Sequence, residues 1–182
     1  INTIITNFIM HESKLVQSGN RIKIKFLEHQ INCHQLNLIE KNNKSTKLKK
    51  SIINLKGHID RIDVFNNQYR IIDYKTGVVK STDLKSDLSD LPTKPKVLQL
   101  LMYAWLFSKE RKMLNKPLLT GVINLRTTNF KIQSCIINNS SIIDSDILMS
   151  FEQAIGEIII DMFSLKNNFQ HLNRAEKCIF CD

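Results

Sequence analysis

Apolar and polar positions change period along the chain, and each change marks an element. Residues 1–18 carry apolar side chains at spacings compatible with a helix. The stretch RIKIKFLEHQIN (21–32) opens in strict alternation, with Ile22, Ile24 and Phe26 on one face and Arg21, Lys23 and Lys25 on the other. That pattern predicts a half-buried strand. EKNNKSTKLKK (40–50) is basic and turn-rich, and reads as a solvated hairpin tip with a phosphate contact as the alternative. LKGHIDRIDVFNNQYRIIDYKTG (55–77) predicts two strands around an Asn66-Asn67 turn. Residues 76–96 are polar and carry Pro92 and Pro95, which predicts a long loop. VLQLLMYAWLFSKERK (97–112) predicts a helix, buried at first and solvated at its end. LLTGVINLRT and FKIQSCII, within 118–137, predict two strands joined near Thr128-Asn129, and a last helix is expected over 142–165. The order of helices and strands predicts an α/β fold, a central mixed β-sheet flanked by helices.

The length of 182 residues fits a single domain over 1–182. The chain begins without Met and ends directly after a Cys, so a C-terminal fragment of a longer protein is expected. No apolar run is long enough to span a bilayer, and the start lacks the features of a signal peptide. A cytoplasmic location is the expectation. The net charge of +9, from 26 Lys and Arg against 17 Asp and Glu, favours an acidic partner, nucleic acid being the commonest.

The hairpin carries more negative charge than a half-buried sheet tolerates. With Asn66-Asn67 as the turn, Val64 faces Tyr69, Asp63 faces Arg70, Ile62 faces Ile71, Arg61 faces Ile72 and Asp60 faces Asp73. Asp63 and Arg70 then form a cross-strand pair, read as an exposed surface salt bridge. Asp60 and Asp73 lie opposite each other at the end of an apolar face, where like charges repel. Lys75 falls on the face of Asp73, with His58 diagonally near. On spacing alone, two readings stand: a seat for a hard divalent cation, or an ion triad neutralised by Lys75.

The set GHIDRID, RIIDYKTG and QLLMYAWL resembles the nuclease domain of the RecB and AddB type within the PD-(D/E)XK nuclease superfamily. In that family a G-x-x-D strand, a D-Y-K strand and a helix with Q-x-x-x-Y follow in order. The resemblance implies a restriction-endonuclease-like core and Mg²⁺- or Mn²⁺-dependent hydrolysis of DNA. It places Asp60, Asp73 and the backbone carbonyl of Tyr74 on the metal, makes Lys75 the catalytic lysine, and gives Gln99 and Tyr103 roles in the site. Without it, Gln99 and Tyr103 read as an ordinary amphipathic helix face. It also implies a helicase partner subunit in double-strand-break repair and recombination. A catalytically silent DNA-binding or scaffolding module of such a complex is the alternative. For the family's upstream ligand, His11 and Glu28 are the two candidates.

Four cysteines complete the candidate chemistry. Cys178 and Cys181, in CIFCD, form a C-x-x-C pair within a tail spanning 168–182. The tail resembles part of the 4Fe–4S ligand set of AddB-type nucleases, to be completed in the full-length protein. Cys33 and Cys135 read as buried structural thiols.

Overall fold

The computed structural model describes residues 2–40, 49–113 and 115–163. Helix α1 (Asn2–Gln17) leads into β1 (Ile22–Glu40), which pairs antiparallel with β2 (Lys49–Phe65). The tip between them, the expected phosphate-contact loop, lies outside the described residues over 41–48. Strand β3 (Gln68–Lys75) returns antiparallel to β2 in the expected register, from Phe65–Gln68 to Arg61–Ile72. Asn66 and Asn67 have φ of 47° and 70°, the left-handed pair that a two-residue type I′ turn requires.

The segment after β3 is ordered rather than a plain loop. Two short 3₁₀ helices, Ser81–Leu84 and Leu88–Thr93, flank β4 (Lys85–Ser86), and Leu84 and Leu91 are buried beneath them. Polar composition hid these two apolar anchors. Pro95 opens α2 (Pro95–Glu110), a position where its missing N–H removes no helical hydrogen bond.

Strand β5 (Leu118–Asn124) lies parallel to β3, and β6 (Ile132–Ser134) pairs antiparallel with β5. The run expected as one strand over 130–137 divides at Cys135. Beyond it, β7 (Ile136–Ile137) leaves the main sheet to pair with β4. Strand β8 (Ile142–Ile143) returns to β5, so the last helix starts later than expected, as α3 (Ser145–Met162). Its start is fixed by the Asp144 carboxylate, which accepts from the Ile147 amide at 2.9 Å.

The main sheet runs β1-β2-β3-β5-β6, with β8 also on β5. Antiparallel pairing along β1-β2-β3, the parallel crossover from β3 to β5 and helices on the flanks make the mixed α/β architecture expected, consistent with a restriction-endonuclease-like core. The larger core joins Ile59, Ile62 and Ile71 of the sheet to Leu101, Ala104 and Trp105 of α2 and Leu148, Phe151 and Ile155 of α3. A smaller core gathers Ile72, Ile123 and Phe130, with Phe8 of α1 and Tyr74 packed against it. Phe8 meets the rings of Tyr74 and Phe130 edge-on, at 5.7 and 5.6 Å between centroids.

The first strand departs from its expected alternation. Pairing shifts between Ile24 and Phe26, which leaves Ile24 exposed while Phe26 packs on the core. Farther along, Phe26 and His29, three residues apart, touch ring to ring at 4.5 Å. Ile59 and Ile62, opposite them and also three apart, both enter the larger core. The alternation therefore resets at Glu28 and Asp60, and Glu28 takes a left-handed φ of 49°. Among the described residues no helix is long and apolar enough to cross a membrane.

Candidate active site

Asp60 and Asp73 are the next positions beyond the last Arg61–Ile72 pair of the hairpin. Asp73 is nearly fully buried and Asp60 is half-buried. The Asp60 carboxylate accepts from the backbone N–H of Tyr74 at 2.8 Å, which draws it to the strand bearing Asp73. Burial pushes the Asp73 carboxyl above its usual range; Lys75 opposes this by hydrogen bond and charge, and the nearby Asp60 reinforces it.

Lys75 follows Asp73 on the same face, and its Nζ lies 2.8 Å from Asp73 Oδ2. The ammonium is thus the partner of that buried oxygen, by charge and by hydrogen bond. Lys75 also donates to Gln99 Oε1 at 3.2 Å, and Gln99 Nε2 donates to Tyr103 Oη at 2.8 Å. Gln99 and Tyr103 stand one turn apart on α2, as an i, i+4 pair must to touch. The structure thus brings Asp73, Lys75, Gln99 and Tyr103 into one chain of contacts, with Asp60 bound to the same strand.

Gly57 allows this approach. A Cβ there would stand 2.8 Å from Leu106 Cδ1 and 3.5 Å from Tyr103 Cδ1. A side chain on β2 at this point would have to displace the end of Leu106 and would lie against the Tyr103 ring.

The opposite face corrects the reading of Asp63. Expected as half of an exposed pair, Asp63 is fully buried. Arg70 grips it with two bonds, Nε to Oδ1 at 2.7 Å and Nη2 to Oδ2 at 2.8 Å, and Arg61 Nε donates to Oδ2 at 2.8 Å. Arg61 Nη1 also donates to Glu12 Oε2 of α1 at 2.9 Å and to Tyr74 Oη at 3.2 Å. Burial alone would lower the Arg61 pKa, but the bonds to Glu12 and Tyr74 and the charge of Asp63 hold it raised. Helix α1 covers this face, and the local strand pattern carries no sign of that. The hydroxyl of Tyr74 is pushed up by burial, with Arg61 opposing.

The remaining candidates lie apart from the acidic pair. His58 turns outward, its Nε2 3.1 Å from Glu28 Oε2, with both side chains exposed. His11 packs its ring against Phe130, 5.9 Å between centroids, on the α1 side of the sheet. Among the described residues no group of three or more His, Cys, Asp or Glu is placed to hold a metal. Neither His11 nor Glu28 therefore joins Asp60 and Asp73. Cys135 is a free, buried thiol whose pKa burial pushes up to about 12. Cys33 lies in β1, its side chain outside those described; Cys178, Cys181 and the whole 168–182 tail are outside the described residues.

Two residues not foreseen frame the site. Arg61 is one. Its signal was its position beside Asp60, on the face shared with Asp63. Asn124 is the other; it pairs with Lys75 across the parallel strands. Its Nδ2 donates to Gly77 O at 3.1 Å, and the amide of Leu125 donates to Lys75 O at 2.8 Å. A buried Asn ending an apolar strand was its only trace in the sequence.

The donor set suits a hard divalent cation. Two carboxylates and a backbone carbonyl would offer it oxygen donors, with Asp73 Oδ2 facing the Lys75 ammonium at 2.8 Å. A cation with few protein ligands completes its shell from water and phosphate.

The family model of the PD-(D/E)XK nuclease superfamily covers residues 11–182. Neither the curated proteins nor the solved structures gave a significant match.

Proposed function

Since this chain belongs to the PD-(D/E)XK nuclease superfamily, we propose that it is a metal-dependent deoxyribonuclease domain of the RecB and AddB type. The observation that carries the reading is the contact chain from Asp73 through Lys75 and Gln99 to Tyr103, with Asp60 on the Tyr74 amide. The order of the motifs supports the RecB and AddB assignment. It also supports a place beside a helicase subunit in double-strand-break repair.

Asp60, Asp73 and the carbonyl of Tyr74 would hold Mg²⁺ or Mn²⁺. When bound there, the cation supplies Lewis acidity toward a DNA phosphate and the attacking water. Lys75 holds an ammonium beside the seat, fixed by Asp73 on one side and Gln99 on the other. From there it orients the water or stabilises charge developing on the phosphate. Tyr103 fixes the Gln99 amide so that its oxygen faces Lys75. The basic chain attracts the DNA backbone without reading bases. A 4Fe–4S cluster held in part by Cys178 and Cys181 in the full-length protein completes the proposal.

The purified protein is expected to degrade DNA with Mg²⁺ or Mn²⁺ and to stop on chelation. Lys75→Ala is expected to abolish cleavage; undiminished cleavage by that variant would sink the mechanism. The second reading, a silent DNA-binding module, draws on the seat having only two acidic residues among those described. DNA binding by the wild type without cleavage under any divalent cation would select it.

A further inference from the structure

Asp60 and Glu12 are on opposite sides of the sheet, yet a continuous series of bonds joins them. Glu12 Oε2 accepts from Arg61 Nη1 at 2.9 Å, and the same nitrogen donates to Tyr74 Oη at 3.2 Å. Tyr74 then spans the sheet: its ring lies on the α1 face against Phe8, while its amide donates to Asp60 Oδ2 at 2.8 Å. Arg61 is also the residue directly after Asp60, at the point where β2 resets its alternation.

We propose that Arg61, Tyr74 and Glu12 are positioning residues that fix Asp60 and the Tyr74 peptide from the far face of the sheet. The physical argument is one of constraint. Where a strand resets its alternation, the backbone is set by what anchors the side chains there. Ile59 and Ile62 anchor it from the α2 side. On the α1 side the anchor is Arg61, buried and bonded to Asp63, Glu12 and Tyr74. A guanidinium presents its donors in a rigid plane, so three acceptors fix its orientation. The Tyr74 hydroxyl, held by that plane, fixes the ring and through it the peptide on which Asp60 rests. Partners of this kind orient ligands without touching the ion. The metal role of the arrangement rests on the proposed nuclease reading; the mechanical coupling does not.

Two variants test it in the full chain. Tyr74→Phe removes only the hydroxyl, and Glu12→Ala removes the α1 end. Amide exchange without metal is measured first, by NMR. Both variants are expected to make the residue-74 amide exchange several-fold faster, while the amides of Ile71 and Ile72 keep their wild-type rates. Unchanged exchange at residue 74, or an equal rise along all of β3, overturns the coupling; the equal rise would show general loosening. Mn²⁺ binding is then measured by calorimetry, and each variant is expected to bind roughly ten-fold more weakly than wild type. Equal affinity in wild type and variants overturns the metal role. A wild type that binds no Mn²⁺ removes the metal seat and its positioning together, and the exchange rates still decide the coupling.

Discussion

The amide of Tyr74 donates to Asp60 Oδ2 at 2.8 Å, so the first acidic position is tied to the peptide that follows the second. One carboxylate is thereby satisfied by the backbone, while the buried Asp73 relies on the Lys75 ammonium. The charged form of Asp73 is disfavoured in the fold, chiefly by burial. Asp73→Asn is therefore expected to keep or raise the Tm of the metal-free protein. Mn²⁺ at a hundred times its Kd stabilises a folded protein by about 2.7 kcal/mol. Wild type is expected to show such a rise in Tm and Asp73→Asn to lose it; an equal rise in both would remove Asp73 from the seat.

Gly57 leaves room on β2 for Leu106 and Tyr103 of α2. Gly57→Val places branched carbon where Leu106 and Tyr103 already stand. Overpacking of this kind costs about 1–3 kcal/mol. Urea denaturation should show that loss, and cleavage should fall further than stability because the added side chain lies against Tyr103, the partner of Gln99. Full activity in a folded Gly57→Val protein would contradict the spacing argument.

Asp63 holds two arginines in a buried network. Removing one member of a buried ion pair costs about 3–5 kcal/mol, whereas an exposed pair is worth about 0–1 kcal/mol. Asp63→Ala is expected at the upper figure by chemical denaturation. A loss near the lower figure would restore the surface reading.

Glu152 links α3 to α2, accepting from Trp105 Nε1 at 3.0 Å and pairing with Lys109 Nζ at 2.6 Å. Burial would raise its pKa, but the bonds from Lys109 and Trp105 outweigh that and lower it from 4.5. A carboxylate lowered in the fold adds stability above its unfolded pKa, lost as pH falls through the folded value. Glu152→Gln should thus be less stable than wild type at neutral pH, with the gap closing below pH 4.5. Thermal unfolding across that range gives the comparison; a gap that widens in acid would reverse the sign.

The hairpin register was legible because two adjacent Asn residues admit one tight turn, and period-2 alternation then assigns the partners from Phe65–Gln68 to Arg61–Ile72; it does not carry past Asp60, where the strand resets. Lys75 followed from the same parity. The bond from Gln99 to Lys75 did not follow from periodicity, which gives the face of α2 but not its rotation over the sheet. The resemblance put Gln99 and Tyr103 in the site but did not name that bond. Asp63 was misjudged because a cross-strand pair looks the same in sequence whether water or α1 covers it. Residues 76–96 were misjudged because Leu84 and Leu91 are sparse anchors in a polar run, too few to show a period. Ile24 was misjudged because one strand irregularity reverses every side chain beyond it.

The Asn66-Asn67 turn also separates near from distant parts of the site. Asp60, Asp73 and Lys75 come from one hairpin, which closes by local pairing. Gln99 and Tyr103 ride on the crossover to β5, whose parallel pairing of Tyr69 with Leu118 joins distant parts of the chain. Contacts of long sequence separation carry a larger loop-closure cost than local ones. Loop-closure cost therefore favours gathering the charges first, with the amide that disciplines the lysine arriving with the larger closure.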